Sequence, residues 1–160
     1  MGGVVSQEFY FRYPKDVSAL ILCATGGRMR VSQEIFDSIK PDYHKYLNAL
    51  PKGTFYEKTS KSIIDNAVLE ASQADPEVVY RDFKICDAFD TLHKTNSIDI
   101  PCIIICGKHD RLTPVKYSKF FHDKISNSEL HIIKKAGHGV MLERPKQVNQ
   151  AIEKFIDNKL

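Results

Sequence analysis

Residues 100–142 read IPCIIICGKHDRLTPVKYSKFFHDKISNSELHIIKKAGHGVML, and the fold is decided in this stretch. Cys102-Ile103-Ile104-Ile105-Cys106 is an unbroken apolar run rich in β-branched residues, with Pro101 before it. Such a run suits a strand buried on both faces, as in parallel sheets. Gly107 then allows a turn, and Asp110 follows within a few residues. Thr113-Pro114 predicts a helix start, with a hydroxyl cap and proline at the first helical position. Tyr117, Phe120, Phe121 and Ile125 follow at helical spacing. Leu130 to Ile133 predicts a second strand, after which His138 stands between Gly137 and Gly139. Glu143-Arg144-Pro145 introduces a further helix, with Val148, Ile152, Phe155 and Ile156 on one face. The order strand, helix, strand, helix implies parallel neighbours joined by a right-handed crossover. Asp110 and His138 therefore fall at one edge of the sheet, beyond the carboxyl ends of adjacent strands, where open α/β sheets place ligand sites.

Composition narrows the function classes. The chain has 160 residues, 42% hydrophobic and 27% charged, which is ordinary for a globular domain with a real core. A net charge of +3 without a basic stripe of interleaved aromatics argues against nucleic acid as a partner. No apolar run reaches membrane-spanning length, and no signal peptide opens the chain. Cys23, Cys86, Cys102 and Cys106 form no C-x-x-C pair, and three sit in apolar elements. Reduced thiols in a cytoplasmic protein are expected. The six histidines lack metal-ligand spacing, so neither a metal nor a cofactor is expected.

Two motifs carry a family resemblance. Gly107-Lys108-His109-Asp110-Arg111-Leu112-Thr113-Pro114 fits G-x-x-D-x-x-T/V-P, and Gly137-His138-Gly139-Val140-Met141-Leu142-Glu143-Arg144-Pro145 fits G-H-x-x-x-x-E-x-P. In this order they resemble the acid and base motifs in the C-terminal half of the α/β-hydrolase family, and the likeness covers essentially the whole chain. It implies an α/β fold: the C-terminal part of a mostly parallel sheet with an inserted helical cap. It also implies His138 as general base and Asp110 as the acid that fixes its tautomer and stabilises its charged form. Singly, each has a plainer reading, a turn or capping aspartate and a histidine tolerated in a tight loop. The pair in order and context favours the catalytic reading. Of the neighbours, His109, Lys108 and Arg111 read as surface or loop residues, Met141 as packing, and Glu143 as support for the loop or the next helix.

The beginning of the chain extends the resemblance. Met1-Gly2-Gly3 looks like the last three positions of the nucleophile elbow G-x-S-x-G-G. The resemblance then places the serine immediately before Met1, makes the Met1 backbone an oxyanion-hole position, and leaves the chain inactive by itself. Val5, Phe9 and Tyr13 share one side of the helix that follows, which Tyr13-Pro14 ends. Ser6 lies inside that helix, Ser18 and Ser32 flank the next strand, and Cys23 and Cys106 lie in apolar runs. None sits on an elbow, so none is assigned as nucleophile.

Val17 to Ala24 predicts a buried strand that needs neighbours on both edges. Only the Cys102 strand is an obvious neighbour, and the other edge invites self-association or a complementing N-terminal segment. Thr25-Gly26-Gly27-Arg28 reads as a turn out of the sheet. Residues 1–31 and 97–160 are expected to form the partial core, and 32–96 a helical cap insertion. Within it, Ile35, Phe36, Ile39, Tyr43, Tyr46, Leu47 and Leu50 recur at helical spacing with a break at Pro41, and Pro51-Lys52-Gly53-Thr54 is expected to turn. Ile63, Ile64, Ala67, Val68 and Ala71 form the next stripe, and Asp75-Pro76 starts another helix. Phe36, Tyr43, Tyr46, Phe55 and Tyr56 are candidates to line a pocket, although helix packing explains most such aromatics. The resemblance implies a small-molecule acyl or ester-type substrate, with epoxide, carbon–halogen and carbon–carbon bonds open within the family. The alternatives are a non-catalytic interaction module and one half of a two-chain hydrolase.

Overall fold

The computed structural model describes residues 1–159. Three strands, β1 (Leu20–Cys23), β2 (Cys102–Gly107) and β3 (Ser128–Ile133), pair in parallel in the order β1-β2-β3. The register places Leu20 opposite Cys102 and Cys102 opposite Ser128. The helices, in chain order, are α1 (Gly2–Arg12), α2 (Gln33–Ile39), α3 (Tyr43–Thr54), α4 (Lys61–Ser72), α5 (Pro76–Ala88), α6 (Val115–Lys124), α7 (Val140–Glu143) and α8 (Pro145–Lys159).

Every residue of β2 is buried, because helices cover both faces of the strand and partners flank both edges. Ile103 and Ile105 pack with Val148, Ala151 and Phe155 of α8. Cys102 and Ile104 face the other way, onto Tyr10 of α1 and Phe121 of α6. Each isoleucine so enclosed contributes about 1.5–3 kcal/mol by leaving water. The sequence pattern had this strand because burial on both faces removes the alternation of polar residues.

β1 departs from expectation. It spans four residues rather than the whole of Val17 to Ala24, because β2 begins only at Cys102, leaving Val17 to Ala19 without a strand to pair with. Ala24 adopts φ 47° and ends the strand. Ile21 is 42% exposed, since one edge of β1 has no neighbour among the described residues. The side of α1 bearing Val5, Phe9 and Tyr13 also faces outward, and the helix buries Val4, Gln7 and Tyr10 instead. Val5, Phe9, Ile21 and Ile156 thus line an open apolar groove along β1, between α1 and α8.

Helices α2 to α5 lie between β1 and β2 in sequence. Asp75 caps α5 as expected, its carboxylate accepting from the Glu77 N–H at 2.8 Å. The turn expected at Pro51–Thr54 is instead the last turn of α3. Tertiary anchors override the breakers: Phe55 is buried, and the Lys52 and Thr54 carbonyls accept from Arg111 and Gly139. α4 buries none of its residues fully and packs chiefly on α3. Among the described residues, no helix is long and apolar enough to cross a membrane.

Candidate active site

Asp110 and His138 come from the loops that follow β2 and β3. The Gly107 carbonyl accepts the Asp110 N–H at 3.2 Å, closing the turn that carries the acid. Asp110 is held by its own loop: Oδ1 accepts the N–H groups of Leu112 and Thr113 at 2.9 and 2.8 Å, and Oδ2 accepts the Thr113 hydroxyl at 2.8 Å. His138 Nδ1 lies 2.9 Å from the same Oδ2, and 3.2 Å from the Thr113 hydroxyl oxygen. The Asp110 side chain is wholly buried, whereas that of His138 is 31% exposed. An ionised carboxylate can only accept, so the proton of this bond belongs to Nδ1 and the lone pair of the ring to Nε2.

Burial alone would raise the Asp110 carboxyl. The hydrogen bond and charge of His138, followed by the Thr113 backbone and hydroxyl, outweigh it and hold the group below the ordinary 3.8. The pair is thus a neutral-pH carboxylate facing a histidine with a free basic nitrogen.

His138 opens onto a cleft of about 460 Å³ whose walls include Met1, Gly3, Cys23, Leu112 and Thr113. Met1, the residue expected to lie at the oxyanion position, therefore shares the cleft with His138. Its carbonyl accepts the Val4 N–H, in the first turn of α1, at 2.8 Å. Cys23 is partly exposed there, but burial first, then Cys106 and Asp110, push its thiol up to about 11, so at neutral pH it is not a thiolate nucleophile. Ser6 bonds to the Gly3 carbonyl of its own helix at 3.3 Å.

The aromatics of the insertion divide between cavities and packing. Tyr46 borders an apolar cavity between α2, α3 and α5, next to the cleft. Phe55 and Tyr56 border a polar recess with His109 and Asp110, where the Tyr56 and His109 rings lie 4.5 Å apart. Phe36 meets Tyr80 edge-on and Tyr43 stacks on Tyr46, which is helix packing.

Two features escaped the sequence reading. Thr113 caps no helix, because α6 starts at Val115 with Pro114 as its cap residue, and its hydroxyl serves the Asp110–His138 pair instead. Its spacing of three from Asp110 is that of a side-chain turn and was the available signal. The second is the set of bonds made by Glu143 across to Tyr56 and Thr59, more than 80 residues away, which no local pattern announces.

The profile of the serine aminopeptidase family S33, of the α/β hydrolases, matches residues 1–145. The chain belongs to this α/β-hydrolase family. The structure of a thermophilic esterase is 36% identical, superposes with a TM-score of 0.88, and is covered over 62% of its length by 98% of this chain. An esterase from Exiguobacterium antarcticum shares the fold at 15% identity, with a TM-score of 0.89 over 97% of this chain and 63% of that one. The pimeloyl-[acyl-carrier protein] methyl ester esterase of Neisseria meningitidis is 22% identical over all of this chain and 56% of its own length. This α/β hydrolase chain thus spans little more than half of that relative. Its β1-β2-β3 order and its two loops lie inside the matched region.

Proposed function

We propose that this chain supplies the acid and base of a serine hydrolase that cleaves an ester or related acyl bond. The observation carrying this reading is the 2.9 Å contact between His138 Nδ1 and the wholly buried Asp110 carboxylate, at the two motif positions of the family. The esterase names of its relatives favour an ester bond and a small acyl substrate.

In this reading Nε2 of His138 takes the proton of a serine hydroxyl as that oxygen attacks the acyl carbon. Asp110 stabilises the imidazolium so formed, which then protonates the departing alkoxide. Water repeats the cycle and releases the acid. No described residue is assigned as that serine; the Met1 backbone, in the same cleft as His138, takes the oxyanion-donor position of the family. The insertion of residues 32–96 roofs the cleft and shapes the acyl site. In the intact protein isolated from its source cells, His138→Ala and Asp110→Asn are each expected to lower ester turnover by about three to four orders of magnitude. Near-normal turnover in both variants would sink the assignment.

The apolar groove along β1 favours a second reading, in which the chain is an interaction module or one half of a two-chain hydrolase. A strictly monomeric protein that gains no activity on mixing with an N-terminal fragment would remove it.

A further inference from the structure

The loop that carries His138 is gripped from outside the sheet. Gly137 and Gly139 lie against residues 54–56 so closely that a Cβ on Gly137 would stand 2.7 Å from the Thr54 carbonyl oxygen. A Cβ on Gly139 would stand 2.7 Å from the Phe55 ring. The Gly139 N–H donates to the Thr54 carbonyl at 3.0 Å. On the other side of the histidine, the Gly137 N–H donates to Glu143 Oε2 at 2.6 Å. Glu143 Oε1 accepts the Tyr56 N–H at 2.8 Å and the Thr59 hydroxyl. The residue is 4% exposed, and its backbone N–H closes α7 onto the Gly139 carbonyl at 2.9 Å.

From this arrangement we infer that Glu143 is a positioning residue for His138, coupling residues 54–59 of the helical insertion to the loop that holds the base. Both oxygens of the side chain are in use, one for the loop and one for the insertion. A glutamine has a single acceptor oxygen and an NH₂ that would face an N–H, so it can serve either side but not both. An aspartate is one methylene too short to span the gap. The consequence rests on the hydrolase reading: the geometry of the base depends on residues 54–59 being seated. Turnover then responds to Glu143 through kcat, with KM little changed, because Glu143 does not line the cleft.

The test compares Glu143→Gln and Thr59→Val with Tyr10→Phe. The last removes a distant buried-end hydrogen bond to Asp99 at 2.8 Å and serves as a control for loss of stability alone. Two signals are followed by NMR in the protein without substrate: exchange of the Gly137 amide, and the Nδ1–H resonance of the His138–Asp110 bond. Glu143→Gln is expected to speed Gly137 exchange by about tenfold or more, the loss of one charge-assisted hydrogen bond. It should also broaden or abolish the Nδ1–H signal. Thr59→Val should do the same to a smaller degree, and Tyr10→Phe neither. A Glu143→Gln protein that melts earlier yet keeps both signals would overturn the inference and leave Glu143 a fold-supporting residue. Since neither readout needs turnover, altered signals in Glu143→Gln together with no ester hydrolysis by the unsubstituted intact protein from its source cells would sink the hydrolase reading while sparing this one.

Discussion

Four donors converge on the Asp110 carboxylate, and three of them come from its own loop. The residue is therefore as much a structural tie as a partner for His138. Its folded value lies below 3.8. A carboxylate depressed on folding adds stability that is fully present above its unfolded value and is lost as pH falls through the folded one. Asp110→Asn should thus destabilise the protein at about pH 6, by about 1.5–3 kcal/mol for hydrogen bonds to a charged group. The gap between the two proteins should close progressively below about pH 4. Urea midpoints measured across that range check it, and a gap that stays constant down to about pH 2 would show that Asp110 is not held ionised. At this scale the sequence was informative about identity but not about role. The motifs brought out Asp110 and His138, which the fold sets in contact, while the Thr113 hydroxyl was mistaken for a helix cap.

At the scale of elements, the connection from β3 to the His138 loop holds the one exposed non-glycine residue with left-handed backbone, Lys135 at φ 55°, among the described residues. An L-residue there costs about 1–2 kcal/mol. Lys135→Gly is expected to raise stability by about 1 kcal/mol, because no buried side chain is lost. Lys135→Val should lower it, and an unchanged denaturation midpoint in both would refute the idea. Ala24, at φ 47°, is different. It is buried beside Ile103 and Ile105, so glycine there would gain about the same backbone term but forfeit a buried methyl of about 0.8 kcal/mol. Element types followed from the pattern of apolar residues, whereas element ends did not. β1 starts where its partner starts, and α3 runs through Pro51 because Thr54 and Phe55 are anchored elsewhere in the molecule. Such ends are set by contacts between segments far apart in sequence.

At the scale of the whole molecule, β2 is closed on all sides while β1 has one open edge among the described residues. The N–H groups of Leu20 and Ala24 donate to Pro101 and Ile105 at 2.9 and 2.8 Å, so those of Ile21 and Cys23 point away from β2. An added strand would bond there. Ile21→Pro removes one of these donors and is expected to abolish any self-association or fragment complementation, read by light scattering or restored ester hydrolysis. Association that survives the proline would place the interface elsewhere. The parallel sheet and the helical character of α2 to α5 were legible because β2 reads as an unbroken apolar run and α2 to α5 as amphipathic stripes. The outward face of α1 was not, since Val5, Phe9 and Tyr13 look like a core stripe, yet the fold leaves all three exposed. That open edge also carries a constraint of symmetry. Two identical copies meeting at β1 across a two-fold axis must run antiparallel, giving a continuous sheet in the order β3-β2-β1-β1-β2-β3 with a reversed seam at its centre. A different strand arriving at the same edge is under no such obligation and can continue the parallel order, so a parallel seam would report that this surface has met something other than itself.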